Sequence, residues 1–285
     1  RTSSIRKIVE EKAKNEETPD DIIYVYNFKN PDRPNLIKFP AGRGNFFAKD
    51  IDELISTIIK TIPKAFETED YEKRRNEVVK RFQIEKEKLI EQVDAMAKEK
   101  GFLIQFAPTG VLTIPIQNGQ PLKPEDFAKL SPEVQKKIQE EGEKLLEEIN
   151  EVVSKLKKID KRTFEALKDL DNEVAVFSIG HLLKDLISKY EDVLEVSEYL
   201  ESLKDDIIEN LSFFREPKQP EEINEFLKRY KINVFVDNSK TKGAPVVYEI
   251  NPTYYNLFGG IDYETKMGFM VTNFNLIKPG YIHRA

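Results

Sequence analysis

Cysteine and tryptophan are absent, histidine occurs twice and methionine three times in 285 residues. Without cysteine there can be no disulfide framework, no thiolate nucleophile and no cysteine-ligated zinc. His181 and His283 are too few for a histidine-rich metal centre. No apolar run approaches the roughly 18 residues of a membrane-spanning helix, and the stretch from Arg1 has no signal-peptide pattern. The expectation is a soluble, cytoplasmic chain with no membrane partner. A basic excess is missing too. Lys and Arg number 45 against 51 Asp and Glu, a net charge of −6, so no nucleic-acid partner is expected.

Charge of both signs is abundant instead. Asp, Glu, Lys and Arg make up 34% of the chain against 39% hydrophobic residues. Long solvated helices account for that balance. Disorder does not, because 18 Phe and 11 Tyr supply material for a core.

Patterning alternates between two textures. Thr2 to Lys14 reads as a helix, Ile22 to Tyr26 and Leu36 to Phe39 as short strands, and Asp50 to Ile62 as an amphipathic helix. The texture changes at Pro63. From Lys64 to Lys100, a charged helix roughly 55 Å long carries Tyr71, Val78, Phe82, Leu89, Val93 and Met96 as one narrow stripe. Phe102 to Phe106 and Val111 to Ile116 then flank Ala107-Pro108-Thr109-Gly110 as a hairpin. Pro132 restarts a helix, whose seam runs through Leu145, Ile149, Val152, Leu156, Ile159, Thr163, Ala166, Leu170, Val174 and Phe177, with Gly180 marking a kink or loosened turn. A third helix, Val193 to Phe214, puts Val196, Leu200, Leu203 and Ile207 on one face. After a short helix to Tyr230, strands are expected at Ile232 to Val236, Pro245 to Ile250 and Gly268 to Phe274.

The fold class expected is α/β and discontinuous, over residues 1–62 and 229–285. A helical insertion at 63–228 interrupts it: an antiparallel bundle or coiled coil of three charged helices, with a β-hairpin near 102–116.

The inventory for catalysis is thin. There is no G-x-S-x-G, no H-E-x-x-H and no complete G-x-x-x-x-G-K-[ST]. His181, on an apolar helix face, reads as a core or half-buried side chain. Arg1-Thr2-Ser3-Ser4-Ile5 has the form of a phosphate-binding loop cut just after its glycines. There a basic residue neutralises phosphates, a hydroxyl holds magnesium and a helix N-terminus supplies N–H groups. An ordinary helix cap is the competing reading. The chain reads as cut at both ends.

Several blocks together resemble a family. Tyr26-Asn27-Phe28 with Asn30-Pro31-Asp32-Arg33-Pro34, Phe39-Pro40-Ala41-Gly42-Arg43-Gly44, Val236-Asp237-Asn238-Ser239, Gly243 to Glu249, Asn251-Pro252-Thr253-Tyr254, Asn256-Leu257-Phe258-Gly259 and Pro279 to Ala285 resemble Lon-like ATP-dependent proteases, whose AAA+-type domain carries a long helical insertion. The resemblance implies a segment lying between Walker A and Walker B. It implies ATP and Mg2+ as cofactors, with Arg1 and Thr2 on the phosphates and Thr2 on the metal. Arg1 stands where a classical loop has Lys, which puts efficient hydrolysis in doubt. No Ser–Lys peptidase dyad is present, so the segment alone is expected to be inactive.

The function implied is substrate handling: nucleotide-coupled delivery of unfolded protein to a peptidase domain, in a parent protein assembled as a homo-hexamer. The rival is a non-catalytic ring scaffold or a gating arm without ATP turnover. In the family a loop upstream of Walker B grips substrate in the pore. Phe269 and Met270 occupy that interval here, beside Gly268, and belonging to a core strand is the competing reading for them.

Overall fold

The structure is a computed structural model that describes residues 2–107, 110–216, 219–266 and 268–285. It divides into two compact units, Arg1–Glu67 with Asn172–Ala285, and Thr68–Asp171. In chain order the larger unit opens with α1 (Thr2–Ala13), β1 (Asp21–Val25), β2 (Asn35–Phe39) and α2 (Arg43–Ala65). The smaller unit holds α3 (Glu69–Glu99), β3 (Phe102–Ala107), β4 (Gly110–Gln117), β5 (Gln120–Pro121), α4 (Pro124–Phe127) and the first part of α5 (Pro132–Lys189). After the rest of α5, the larger unit continues with α6 (Leu194–Glu209), α7 (Leu211–Arg215), α8 (Pro220–Leu227), a 3-10 turn at Lys228–Tyr230 and β6 (Asn233–Val236). It ends with α9 (Tyr254–Phe258), β7 (Gly260–Ile261), β8 (Glu264–Lys266), β9 (Phe269–Val271), a 3-10 turn at Phe274–Leu276, β10 (Ile277–Lys278) and α10 (Tyr281–Arg284). Among the described residues no helix is long and apolar enough to cross a membrane.

The core of the larger unit follows from two periodicities. Period two in β1 and β2 buries Ile23, Val25, Ile37 and Phe39 on one face. Steps of three and four in α2 bury Phe47, Ile51, Leu54, Ile55, Ile58 and Ile62. The sheet order is β2-β1-β6 with both pairings antiparallel. β1 is therefore the central strand with both edges filled. Pro63 does not end α2, which runs on to Ala65. The break comes at Phe66, and the Thr68 side chain then caps α3 by accepting the Tyr71 N–H at 3.3 Å.

The expected insertion of 63–228 extends beyond the smaller unit, because residues 172–228 pack with the α/β part. The seam of α5 changes face there. Leu145, Ile149, Ile159 and Leu170 are buried as expected, but the stripe continues as Ala175, Ile179, Leu183, Leu186 and Tyr190. Phe177 is left 86% exposed. Tyr190 meets Phe39 and Phe47 edge-on at 5.6 and 5.1 Å and donates to Asp50 at 2.6 Å, while Arg43 bridges to Asp192 with both guanidinium nitrogens. α6 adds Val196, Tyr199, Leu200, Leu203 and Ile207 to the same core. The third helix of the expected bundle is thus part of the α/β unit. His181 is exposed, neither core nor half-buried, and α5 continues through Gly180.

The smaller unit pairs two helices, not three. Tyr71 bonds Asp171 at 2.8 Å, Arg162 bonds Glu85 at 2.9 Å, Lys86 pairs with Asp160, and Lys100 bonds Glu148 at 2.6 Å. Rising numbers on α3 meet falling numbers on α5, so the two run antiparallel. Thr163 causes no break in the seam, because its hydroxyl bonds the Ile159 carbonyl of its own helix. Val93, Ala97, Phe102, Leu145 and Ile149 form the core under the hairpin. An Asn118-Gly119 turn, with φ of 53 and 80°, joins β4 to the short β5.

Two expected strands shrink. Pro245 to Ile250 forms no strand, and Gly268 to Phe274 contributes only β9.

Candidate functional site

The C-terminal part of the larger unit projects a hairpin from a tightly packed base. Thr253 caps α9 by accepting the Asn256 N–H at 3.2 Å. At the base, a Cβ on Gly259 would lie 2.1 Å from the Lys278 oxygen, and one on Gly280 2.2 Å from the Leu257 oxygen. Only glycine permits this approach, which brings β7 against β10.

From there β8 and β9 pair Glu264↔Val271, Thr265↔Met270 and Lys266↔Phe269 around a two-residue turn. Gly268 sits in that turn at φ 81°, and Met267 lies outside the described residues. The first strand is anchored by alternating charges. Lys266 bonds Glu225, and Lys228 reaches Glu264 at 3.0 Å and Glu225 at 3.4 Å. The Lys266 hydrogen bond holds the Glu225 carboxyl below the ordinary carboxylate range, and the Glu264 bond holds Lys228 above the ordinary ammonium range.

The second strand is different. Phe269 is 74% and Met270 71% exposed. Adjacent strand residues point to opposite faces, so both faces of the ribbon carry an apolar side chain into solvent. Neither belongs to a core. Upstream in the same part of the chain, Ile250, Tyr254 and Tyr263 are exposed as well. Exposed apolar side chains thus recur along this part of the chain.

Arg1 lies outside the described residues. Thr2 opens α1, and its side chain is not described. The glycine-rich block Pro40 to Gly44 also leads into a helix, yet its geometry does not fit a phosphate. Gly42, at φ 86°, caps α2 without a side-chain bond. The Gly44 N–H of the first turn donates to the buried carboxylate of Asp21 at 2.8 Å, and the other Asp21 oxygen accepts the Asn238 N–H at 2.7 Å. A phosphate there would face a buried carboxylate.

The motif blocks meet around Asp21 for a structural purpose. The Asn238 amide donates to the Asp20 carbonyl at 3.0 Å, Gly243 N–H to Thr18 Oγ1 at 3.0 Å and Ala244 N–H to the Ala13 carbonyl at 2.8 Å. Sequence reasoning missed Asp21. An acid at the start of an apolar run reads as a turn residue, and only the distant Gly44 and Asn238 give it a buried role. Among the described residues, no His/Cys/Asp/Glu cluster could hold a metal ion.

Residues 21–54 match the family described as the Lon-like LonC helical domain, and residues 242–285 match the LonB-like AAA domain. Both matches are Lon-like. The first Lon-like segment contains β1, β2 and the Asp21–Gly44 contact. The second contains Gly243 and the whole β8–β9 hairpin with Phe269 and Met270. AAA domains as a class bind nucleotide; in the Pro40 to Gly44 block the Gly44 N–H is already taken by Asp21. No curated protein matches the chain.

Proposed function

We propose that this chain is part of the substrate-handling module of a Lon-like ATP-dependent serine protease, and that its β8–β9 hairpin grips unfolded polypeptide. The exposure of Phe269 and Met270 on an ion-anchored ribbon carries the reading. Apolar contact is non-directional and therefore suits a surface that accepts many sequences. In the full-length protein the module works in a cytoplasmic homo-hexamer and hands the chain to a peptidase domain. Arg1 and Thr2 are the residues proposed for ATP, with Thr2 toward Mg2+.

The test is binding of a labelled, permanently unfolded protein to this chain, read by fluorescence anisotropy. Phe269→Ser and Met270→Ser should each weaken binding, by about tenfold for the phenylalanine, with the melting temperature unchanged. Binding that survives both substitutions ends the gripping role. It would leave the second reading, a scaffold or gating arm without ATP turnover, for which the same exposed apolar surface is a ring contact.

A further inference from the structure

We propose a second polypeptide site, in the smaller unit: the free edge of β4 takes an extended segment as an added strand. The inference stands without the hairpin reading above. β3 and β4 pair from Ala107↔Gly110 to Phe102↔Pro115, and beyond them the Ile116 N–H donates to the Gly101 carbonyl at 2.8 Å. Even-numbered residues of β4 therefore turn their N–H and C=O toward β3, and odd-numbered ones toward the opposite edge. Pro115 agrees with this parity. Its carbonyl accepts the Leu122 N–H at 2.8 Å on the β5 side. Val111 and Thr113 remain, and their outward N–H and C=O have no hydrogen-bond partner among the described residues.

β5 covers that edge only at Ile116 and Gln117. From Gly110 to Ile114 it is open over about 17 Å. Beside it lies a groove of about 610 Å³, lined by Phe102, Ile114, Leu122, Phe127, Ile138 and Leu146. A strand laid along β4 would point alternate side chains into this groove and the others away.

Three observations identify the occupant as an extended chain. Alternating unpaired N–H and C=O groups are matched by another extended backbone and by no helix. The groove is lined in part by Thr113, Ile114 and Pro115 of β4 itself, so it adjoins the edge such a strand would occupy. Finally, open edges are normally guarded by charge or proline, yet neither Phe102–Ala107 nor Gly110–Gln117 contains a charged residue, and Pro115 lies beyond the open stretch from Gly110 to Ile114. Main-chain pairing makes the site tolerant of sequence, with a preference for apolar residues at alternate positions.

The probe is a short fluorescent peptide of alternating valine and threonine, added to the whole chain. It should bind saturably and protect the Val111 and Thr113 amides from hydrogen exchange. N-methylation along one edge of the peptide should leave binding intact, because the other edge can pair. Methylation along both edges should abolish it. Thr113→Pro removes an N–H that the fold does not use and should weaken binding by about tenfold or more at an unchanged melting temperature. Equal affinity for the doubly methylated peptide would overturn the proposal, since a bare apolar groove needs no peptide N–H. The methylation arms use the unmutated chain, so a Thr113→Pro variant that failed to fold would not shield the idea. Amide protection that rises with protein concentration in the absence of peptide, alongside dimers in sedimentation, would assign the edge to a second copy and overturn it too.

Discussion

Asp21 does at the scale of one residue what a helix cap does locally, but from a different element. Its carboxylate holds two buried N–H groups, on Gly44 and Asn238. Asp21→Ala would leave both unsatisfied and should cost about 2–4 kcal/mol in denaturant unfolding. Gly44 is the other half of this contact. A Cβ there would stand 3.1 Å from Asp21 Cβ and Oδ2 and 3.2 Å from Ile23 Cγ2, so Gly44→Ala should destabilise by about 1–3 kcal/mol. Phe177→Ser, at an 86% exposed position, should leave the chain's stability within about 0.5 kcal/mol. On the seam expected from steps of four and three, the same change would be severe, so that one measurement separates the two placements. The glycines and Asn238 were visible as motif letters in the sequence. Their partner was not, because Asp21 lies 23 positions from Gly44 and 217 from Asn238 in the chain.

Among the elements, the β8–β9 hairpin is anchored by charge. Glu225 sits below its ordinary value because Lys266 bonds it. A carboxylate depressed in the folded state stabilises above its unfolded value and loses that contribution as pH falls through the depressed one. Acidification below about pH 4.5 should therefore loosen the hairpin before the sheet around β1 responds. Residue-resolved NMR shifts of 264–271 against those of Ile23 and Ile37 check this, and simultaneous movement of both sets would contradict it. The paired helices make a different prediction. A fragment of residues 68–171 should melt cooperatively with strong helical circular dichroism, since its core of Val93, Ala97, Phe102, Leu145 and Ile149 is internal to it. Where α3 and α5 lie was legible from their stripes, because steps of three and four survive any choice of partner. The face that α5 buries past Asp171 was not, because a continuous helix can change partners without any local signal.

The whole molecule carries an expectation that no single element does. Tyr190, Tyr199 and Tyr230 all have hydroxyls whose ionisation burial opposes, reinforced at Tyr190 by Asp50 and at Tyr230 by Asp206. A tyrosine raised in the folded state favours folding below its unfolded value and loses that contribution as pH rises. Alkaline titration above about pH 10 should thus unfold the larger unit, with the tyrosinate absorbance appearing together with the loss of helix. Ionisation of these tyrosines in a still-folded chain would contradict their burial. The sequence by itself determined what depends on composition and short-range periodicity. The absence of cysteine, the α/β character of the two ends, the charged helices, the hairpin near 102–116 and the Lon-like motif blocks are all of this kind. The tertiary structure alone decided that β1 is a central antiparallel strand, that residues 172–228 pack with the α/β part, that Asp21 closes the start of α2, and that Phe269 and Met270 stand in solvent. Each of these depends on which distant surface an apolar stripe or an unpaired N–H finds, and hydrophobic burial is non-directional, so the stripe fixes the element but not its partner.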